Sequence, residues 1–281
     1  MGDIYAGIAV ICALGGALFA LGLRIGRAAS RRTVWAFALL AVAALCVHSF
    51  VLLDNLRLAW FLPFSSLVAV GNGSPLAAGF LAGIGWGRIP RPIWRKCLTI
   101  VPLIAVCLFH AYGRLSGRPP RCSDVWDRGV SIQSSRSSCG AAAAATLLRA
   151  YGIAATEQEM AELCLTRNWG TCDHGIYRGL KLKTAGTPFR VEIVSGGIEQ
   201  LQQDMDGPIL VLVRLRRTAT TGPRYEQDWG WEPGRGHAVV LFRFLRRGLV
   251  EMGDPSAGRE KWAAEDLRVL WRGVGIRLRR E

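Results

Sequence analysis

The sequence predicts two parts of different fold class, a helical membrane domain followed by an α+β domain. Apolar runs of about 20 residues, long enough to cross roughly 30 Å of hydrocarbon, fill the first part. Residues 1–121 contain twelve Lys and Arg but only two acids, whereas acids and bases nearly balance in the remainder. In that remainder helical patterns come first and β-type runs follow, which is typical of an α+β rather than an alternating α/β domain.

Four membrane spans are predicted in the first part, at residues 4–23, 34–53, 66–86 and 93–112. The third is the least regular, because Pro63 and the "GNGSP" stretch interrupt the apolar run. A re-entrant hairpin over residues 58–87 is the alternative, since irregular backbone in a membrane is tolerated only where it is packed in protein.

The Lys and Arg side chains of the first part flank the spans. Eight lie in the loops after the first and third spans, and four lie on the other side. Because basic loops stay in the cytoplasm, both termini and the second domain are expected on the extracytoplasmic side. The sequence thus predicts a multi-pass integral membrane protein in a lipid bilayer. The first part, with these clusters, accounts for +10 of the net charge of +14, and nucleic acid is not expected as a partner.

The membrane domain, residues 1–112, is followed by a linker rich in Gly, Pro and Arg over residues 113–122 and by a domain over residues 123–281. The predicted helices of this second domain are at 139–151, from Thr156 onward, 175–185, 198–204 and 264–270. Its predicted strands are at 189–194, 208–215, 237–245, 249–254 and 273–279. The long segment 217–236, with Tyr225, Trp229 and Trp231, is interpreted as a lid that binds substrate.

Cys139 is predicted to be a nucleophile because it begins the helical stretch "CGAAAAATLLRA". Unpaired N–H groups and the helix dipole at this end favour a thiolate. Gly140 would let a substrate approach the backbone closely. Gln133, six residues upstream, would point its amide N–H at a developing oxyanion, beside the backbone N–H of Cys139.

His237 is predicted to be the base, because it begins a strongly hydrophobic strand after a glycine. Strands 237–245 and 249–254 are separated by three residues, so they are expected to form an antiparallel hairpin that returns Asp254 to the side of His237. A carboxylate in that place holds the imidazole in one tautomer. The prediction is a triad that hydrolyses amides through an acyl-enzyme, without a cofactor.

Five stretches carry a family resemblance in their order and spacing: "QSSRSSCG", "TEQEMAELC", "GTCDHGIYRGL", "GHAVV" and "GDPSAG". Over about residues 131–279 the chain resembles the papain-like cysteine peptidases, most closely the bacteriocin-processing, double-glycine leader peptidases. The resemblance implies a papain-like fold with Cys139, His237 and Asp254 as the triad. It also implies that Gln133 supplies the oxyanion hole. Tethering to a membrane adds the expectation of a polypeptide substrate, such as a leader or a sorting tail.

Several alternatives stay open at this level. The same fold serves amidases and acyltransferases, which pass the acyl group to water or an amine, and it also serves catalytically silent assembly or sensor subunits. Cys164 and Cys172 could form a disulfide in an extracytoplasmic domain. His174 with Asp173 and these two cysteines matches no standard zinc spacing, so no metal is expected.

Overall fold

The structure of the chain is a computed structural model. It describes residues 1–89, 92–216, 224–227 and 230–281, without the side chains of residues 99, 102, 104, 106–111, 114 and 224. The chain divides into two compact units, Met1–Ser116 and Gly117–Glu281. The division falls inside the predicted linker, whose first residues continue the last helix of the first unit.

The first unit is helical. Its helices are α1 Gly2–Ala28, α2 Arg31–Val47, α3 Leu67–Val70, α4 Ser74–Arg88 and α5 Ile93–Leu115. Ser30 caps the N-terminus of α2, because its hydroxyl accepts a hydrogen bond from the Thr33 N–H. A π-type turn, His48–Leu52, extends α2, and a 3-10 turn, Leu56–Trp60, follows it.

The observed helices match the four predicted spans to different degrees. Among the described residues, Gly2–Ala28 and Arg31–Leu52 are long and apolar enough to cross a membrane. The third predicted span, 66–86, is not one continuous helix, because α3 ends before Gly71 and α4 begins after Gly73. Glycines weaken the helix there and a proline in the first turn of α4 starts a new one. Helix α5 extends over the fourth predicted span, and the count of four stays a prediction.

Helices α1 and α4 pack backbone against backbone. A Cβ added at Gly79 would lie 2.7 Å from the carbonyl oxygen of Gly15, and one at Gly83 would overlap the carbonyl oxygen of Phe19. Gly87 continues this face, since residues four apart lie on one side of a helix. Small residues let helices approach closely where lipid offers no hydrophobic driving force. The contact between α1 and α4 therefore depends on glycine at these positions.

The second unit has the predicted α+β architecture, with the helices α6 to α8 before the strands of its main sheet. Its helices are α6 Cys139–Ala150, α7 Glu157–Leu163, α8 Asp173–Thr184, α9 Ile198–Gln203, α10 Arg224–Gln227 and α11 Ala264–Leu270. A short ribbon is formed by β1 Trp126–Asp127 and β2 Val130–Ser131. The remaining strands are β3 Phe189–Ser195, β4 Ile209–Arg214, β5 Gly236–Phe244, β6 Leu249–Asp254, β7 Gly258–Ala263 and β8 Trp271–Arg280. Within the described residues these six form one antiparallel sheet in the order β3-β8-β4-β5-β6-β7.

The sheet separates two packed layers. On one face, side chains such as Val211 and Val239 join a core with Trp262 and Leu267 from β7 and α11. Because side chains alternate along a strand, the other face is left for α6. Helix α6 is buried from Gly140 to Leu148, and its run of alanines lets it lie close to the sheet.

Two boundaries differ from the prediction for local reasons. Helix α8 begins at Asp173, two residues earlier than predicted, because the Cys172 thiol caps it by accepting from the Gly175 N–H. Strand β7, "GREKWA", was missed because its charged residues hide the period-2 pattern. It pairs with β6 along its whole length and forms an edge of the sheet.

Candidate active site

Cys139 is the first residue of α6, as the sequence predicts. A serine-rich turn leads into it. The Ser135 N–H donates to the Ser138 Oγ at 3.0 Å, and the Ser138 hydroxyl donates to the Ser135 carbonyl at 3.0 Å. The turn on one side and the buried helix on the other fix the thiol in place, while Cys139 itself stays partly exposed.

The predicted hairpin of β5 and β6 is present, with Val240 opposite Gly253 and a tight turn between the strands. It places His237, the second residue of β5, beside Asp254, the last residue of β6. The His237 Nε2 lies 2.8 Å from the Asp254 Oδ1. Since an ionised carboxylate can only accept, the Nε2–H donates and Nδ1 is left for another partner.

Asp254 is buried and its Oδ1 is held by a turn that follows β6. The Ser256 N–H donates to this oxygen at 2.7 Å, and the Ser256 hydroxyl donates to it at 2.6 Å. Together with His237, three donors converge on one carboxylate oxygen. Such hydrogen bonds stabilise the ionised form and fix its direction.

The electrostatics of the cluster favour a thiolate next to an imidazolium. Burial alone would raise the pKa of Cys139, but the hydrogen bond and charge of His237 bring it below its ordinary value. Burial opposes the charge on His237 as well, yet its bonds to Asp254 and Cys139 raise its pKa to about 10. The pKa of Asp254 is lowered despite burial, through His237 and Ser256. Each shift favours the ionised form at neutral pH.

Gln133 lines the same cleft as Cys139. Its backbone N–H donates to the Pro255 carbonyl at 2.8 Å, which ties the segment before α6 to the turn after Asp254. Its side-chain Oε1 is buried and has no hydrogen-bond partner in the part of the chain that the structure describes. A buried amide end without a partner is costly, and a ligand in the cleft would satisfy it.

The cleft has a volume of about 550 Å³ and is lined by the start of α6, the segment before β5 and the turn between β6 and β7. Trp231 forms one wall. Its ring meets the ring of His237 edge-on, with centroids 5.5 Å apart, and meets Trp262 at 6.1 Å. An indole packed on the imidazole shields the His237–Asp254 hydrogen bond from water.

Charged residues stand at the mouth of the cleft. The Arg235 Nη1 lies 2.8 Å from the Glu232 Oε2, and its Nη2 donates to the Arg136 carbonyl at 2.9 Å. These contacts join the segment before β5 to the turn before α6, the two segments that carry the base and the nucleophile.

The residues predicted to bind substrate have different outcomes. Gly140 is buried, and a Cβ there would meet Thr171 and Ile176 at 2.9 Å. Its lack of a side chain thus serves packing against the neighbouring helix, and its role in substrate approach stays a prediction. Trp231 lines the cleft, whereas Trp229 lies outside the described residues.

The prediction for Tyr225, which was interpreted as part of a lid that binds substrate, is wrong. Tyr225 is buried in the core of the unit, and its hydroxyl donates to the Asp266 Oδ1 at 3.0 Å. An aromatic residue in a long polar segment gives no sign in the sequence of which neighbour will cover it.

Ser256 is the residue of the cluster that the sequence analysis did not single out. The sequence "DPS" indicates the turn that contains Ser256, because an aspartate whose side chain accepts from the N–H two residues later forms a common turn. The pattern shows the turn, but it does not show that the turn faces a histidine from another strand.

The sequence left two possibilities open for the cysteines and the histidine around α8, a disulfide and a metal site. Cys164 and Cys172 are both free thiols, so the structure contains no disulfide between them. Burial raises the pKa of Cys164 far above its ordinary value. Over the described ranges, no group of three or more His, Cys, Asp or Glu side chains is placed to hold a metal ion.

Comparisons with known proteins find solved peptidase domains. The chain is 21% identical to the peptidase domain of Streptococcus ComA, a bi-functional ABC transporter involved in a quorum sensing pathway, with a TM-score of 0.41 over 54% of this chain and 98% of that one. It is 16% identical to a double glycine motif protease from an AMS/PCAT transporter, solved with the leader peptide, with a TM-score of 0.41 over 59% of this chain and 100% of that one. For the peptidase domain of Streptococcus mutans ComA, the identity is 21% and the TM-score 0.36, over 54% and 98% of the two chains. No family model and no curated protein matches the chain. These solved structures are thus two peptidase domains and one protease.

Proposed function

We propose that this chain is a membrane-anchored cysteine peptidase that cleaves a polypeptide. The observation that carries the proposal is the 2.8 Å contact between the His237 Nε2 and the Asp254 Oδ1, in a cleft that also contains Cys139. An oriented imidazole beside a thiol of lowered pKa is the arrangement that nucleophilic catalysis requires.

The proposed reaction begins with the Cys139 thiolate. Its Sγ attacks the carbonyl carbon of the scissile amide, and the electron pair of the C=O bond moves to oxygen. The protonated His237 then gives its Nδ1 proton to the leaving nitrogen, and the C–N bond breaks to leave a thioester. His237, now neutral, takes a proton from water, whose oxygen attacks the thioester carbon. The C–S bond then breaks, which releases the acid and leaves Cys139 as a thiolate beside the protonated His237.

The oxyanion of each tetrahedral intermediate needs donors in place before the reaction. The backbone N–H of Cys139 is one, because the first N–H groups of a helix have no intrahelical acceptor. The side-chain N–H of Gln133, which lines the cleft, is the other. Removal of one such donor in other enzymes costs about 10²–10³ in kcat.

The anchoring part of the proposal rests on the first unit. Its two long apolar helices, α1 and α2, have exposed aromatic side chains such as Trp35 and Phe37, as is usual for surfaces that face lipid. We place the peptidase unit on the extracytoplasmic side and its substrate near the bilayer, on the loop charges given above. A leader or a sorting tail would be cut in that position.

The test compares two thiols in the same molecule. Cys122 is partly exposed, but burial and Glu157 raise its pKa to about 12, so it is a slow internal reference. In the full chain in detergent at pH 7, iodoacetamide should label Cys139 much faster than Cys122 by peptide mapping. Cys139→Ala should abolish cleavage of a proteome-derived peptide library.

His237→Ala is the matched variant, because it removes the base and leaves the thiol. It should remove both the cleavage and the rapid labelling of Cys139. Equal labelling rates at the two cysteines in the wild-type protein, with no peptide cut, would refute the peptidase proposal. Products carrying an added amine, when a candidate amine is present, would move the assignment to acyl transfer.

A further inference from the structure

Two arginines share one small space beside His237. Arg214 ends β4 and lies opposite Gly236 of β5 in the sheet register. A Cβ at Gly236 would be 3.7 Å from the Arg214 Nη2 and 3.9 Å from the Arg272 Nη1. Both guanidinium groups therefore approach the same point on an exposed glycine.

Within the described residues, one carboxylate, that of Asp173, acts on both arginines. The Arg272 Nη1 lies 3.1 Å from the Asp173 Oδ2. Arg214 forms no hydrogen bond or ion pair in the described part of the chain. Burial and then the repulsive charge of Arg272 lower the pKa of Arg214, while the charge of Asp173 opposes this shift. A further carboxylate at this point would relieve that repulsion and accept from a planar guanidinium fork.

Gly236 connects the two positively charged arginines with the cleft in which the proposed reaction takes place. Gly236 lines the cleft together with Cys139 and His237, and it directly precedes His237 in the chain. Neighbouring Cα atoms are about 3.8 Å apart, and an extended peptide advances about 3.3–3.6 Å per residue. A group bound over Gly236 would thus belong to a residue within about two positions of the bond that Cys139 attacks.

We propose that Arg214 and Arg272 form a carboxylate-binding subsite, which selects substrates with an acidic group within about two residues of the cleaved bond. This inference rests on the proposed peptidase function and adds a substrate class to it. Gly236 contributes by having no side chain, so that the carboxylate can lie over the backbone between the two guanidinium groups.

The experiment profiles cleavage of a proteome-derived peptide library by the full chain in detergent. Asp or Glu should be enriched at one position within two residues of the cut. A synthetic peptide with that acid should exceed its Asn or Gln counterpart by about tenfold in kcat/KM, as expected for a charge-assisted pair. Arg214→Gln should remove this preference by lowering kcat/KM for the acidic peptide to that for the neutral one. Arg214→Glu should shift the preference to Lys or Arg.

The matched control is Arg280→Gln, which removes one exposed arginine at the far end of the strand that begins near Arg272. It should leave the acidic preference intact. Cleavage of neutral and acidic peptides at equal rates by the wild-type chain would overturn the subsite and leave the peptidase function standing. An unchanged preference in Arg214→Gln would overturn it too. If no peptide is cut and Cys139 is not labelled rapidly, the proposed function itself fails.

The same experiment distinguishes two sources of carboxylate. If the preference persists in peptides with an amidated C-terminus, the bound group is an acidic side chain. If cleavage occurs only near a free C-terminus and amidation abolishes it, the bound group is the α-carboxylate. Either result supports the subsite, and loss of the preference in Arg214→Gln is required in both.

Discussion

At the scale of single residues, the carboxylate of Asp254 controls the state of His237. Asp254→Asn keeps the shape of the side chain but replaces the charged acceptor with an amide, so the imidazole loses its fixed tautomer. We expect turnover to fall on the order of 10⁴-fold, as in a serine triad, with the fold intact by circular dichroism. Turnover close to that of the wild-type chain would show that another group orients His237.

The same variant should change the pH dependence of Cys139 labelling. The pKa of His237, about 10, is raised mainly by its bond to Asp254, against the effect of burial. Without that charge its pKa falls, so the imidazolium is lost at a lower pH. The alkaline limit of rapid labelling, near pH 10 in the wild-type chain, should move down, which a series of rates between pH 6 and pH 11 measures.

Ser256 gives a finer test, because its hydroxyl donates to Asp254 from the turn after β6. Removing one donor raises the pKa of Asp254, since Ser256 helps to lower it. The activity of Ser256→Ala should therefore be lost at a higher pH than that of the wild-type chain as the solution is acidified. At pH 8 the loss should be about tenfold or less.

Ser256→Thr is the matched control, because it keeps both the hydroxyl and the N–H. It should restore the acid side of the pH profile. An equal loss in the alanine and threonine variants at every pH would mean that the turn is only structural.

The sequence allowed the positions of Cys139, His237 and Asp254 to be predicted because each depends on local signals. A helix start, a strand start and a three-residue turn are readable along the chain. Tyr225 was misread because its place depends on which side chains cover it. One of its partners, Asp266, lies 41 residues away along the chain, which no local pattern specifies.

At the scale of elements, the glycine face between α1 and α4 has little space for any side chain larger than that of glycine. Gly83→Ala would place a methyl group against the Phe19 carbonyl and push the helices apart. Gly85→Ala is the control in the same helix, where the nearest atom to the new Cβ is the Ile89 Cδ1 at 3.8 Å. We expect Gly83→Ala to lower the midpoint of thermal unfolding in detergent.

Gly85→Ala should leave the midpoint equal or slightly higher, because alanine is favoured over glycine in a helix by about 1 kcal/mol. Equal destabilisation by the two changes would mean that α1 and α4 do not pack through this face. The break between α3 and α4 was visible in the sequence as "GNGSP", but its effect on the number of spans was not, since a glycine-rich stretch fits a kinked helix and a hairpin alike.

At the scale of the whole molecule, the orientation in the bilayer is the open prediction. Single cysteines at Ser30 and Ser116, in a variant without the eight native cysteines, place one thiol in each class of loop. A membrane-impermeant maleimide should label position 116 in intact cells and label position 30 only after lysis. The opposite pattern would put the peptidase unit in the cytoplasm.

The proposed nucleophile and base come from different layers of the second unit. Cys139 belongs to a helix, while His237 and Asp254 belong to the sheet beneath it, so their alignment exists only while the two layers are docked. A small slippage of α6 would separate them without melting either layer. In dilute denaturant, the labelling advantage of Cys139 should therefore disappear before the helical circular dichroism signal does. The labelling rate of this thiol would then report a loosened tertiary structure that spectroscopy of secondary structure does not detect.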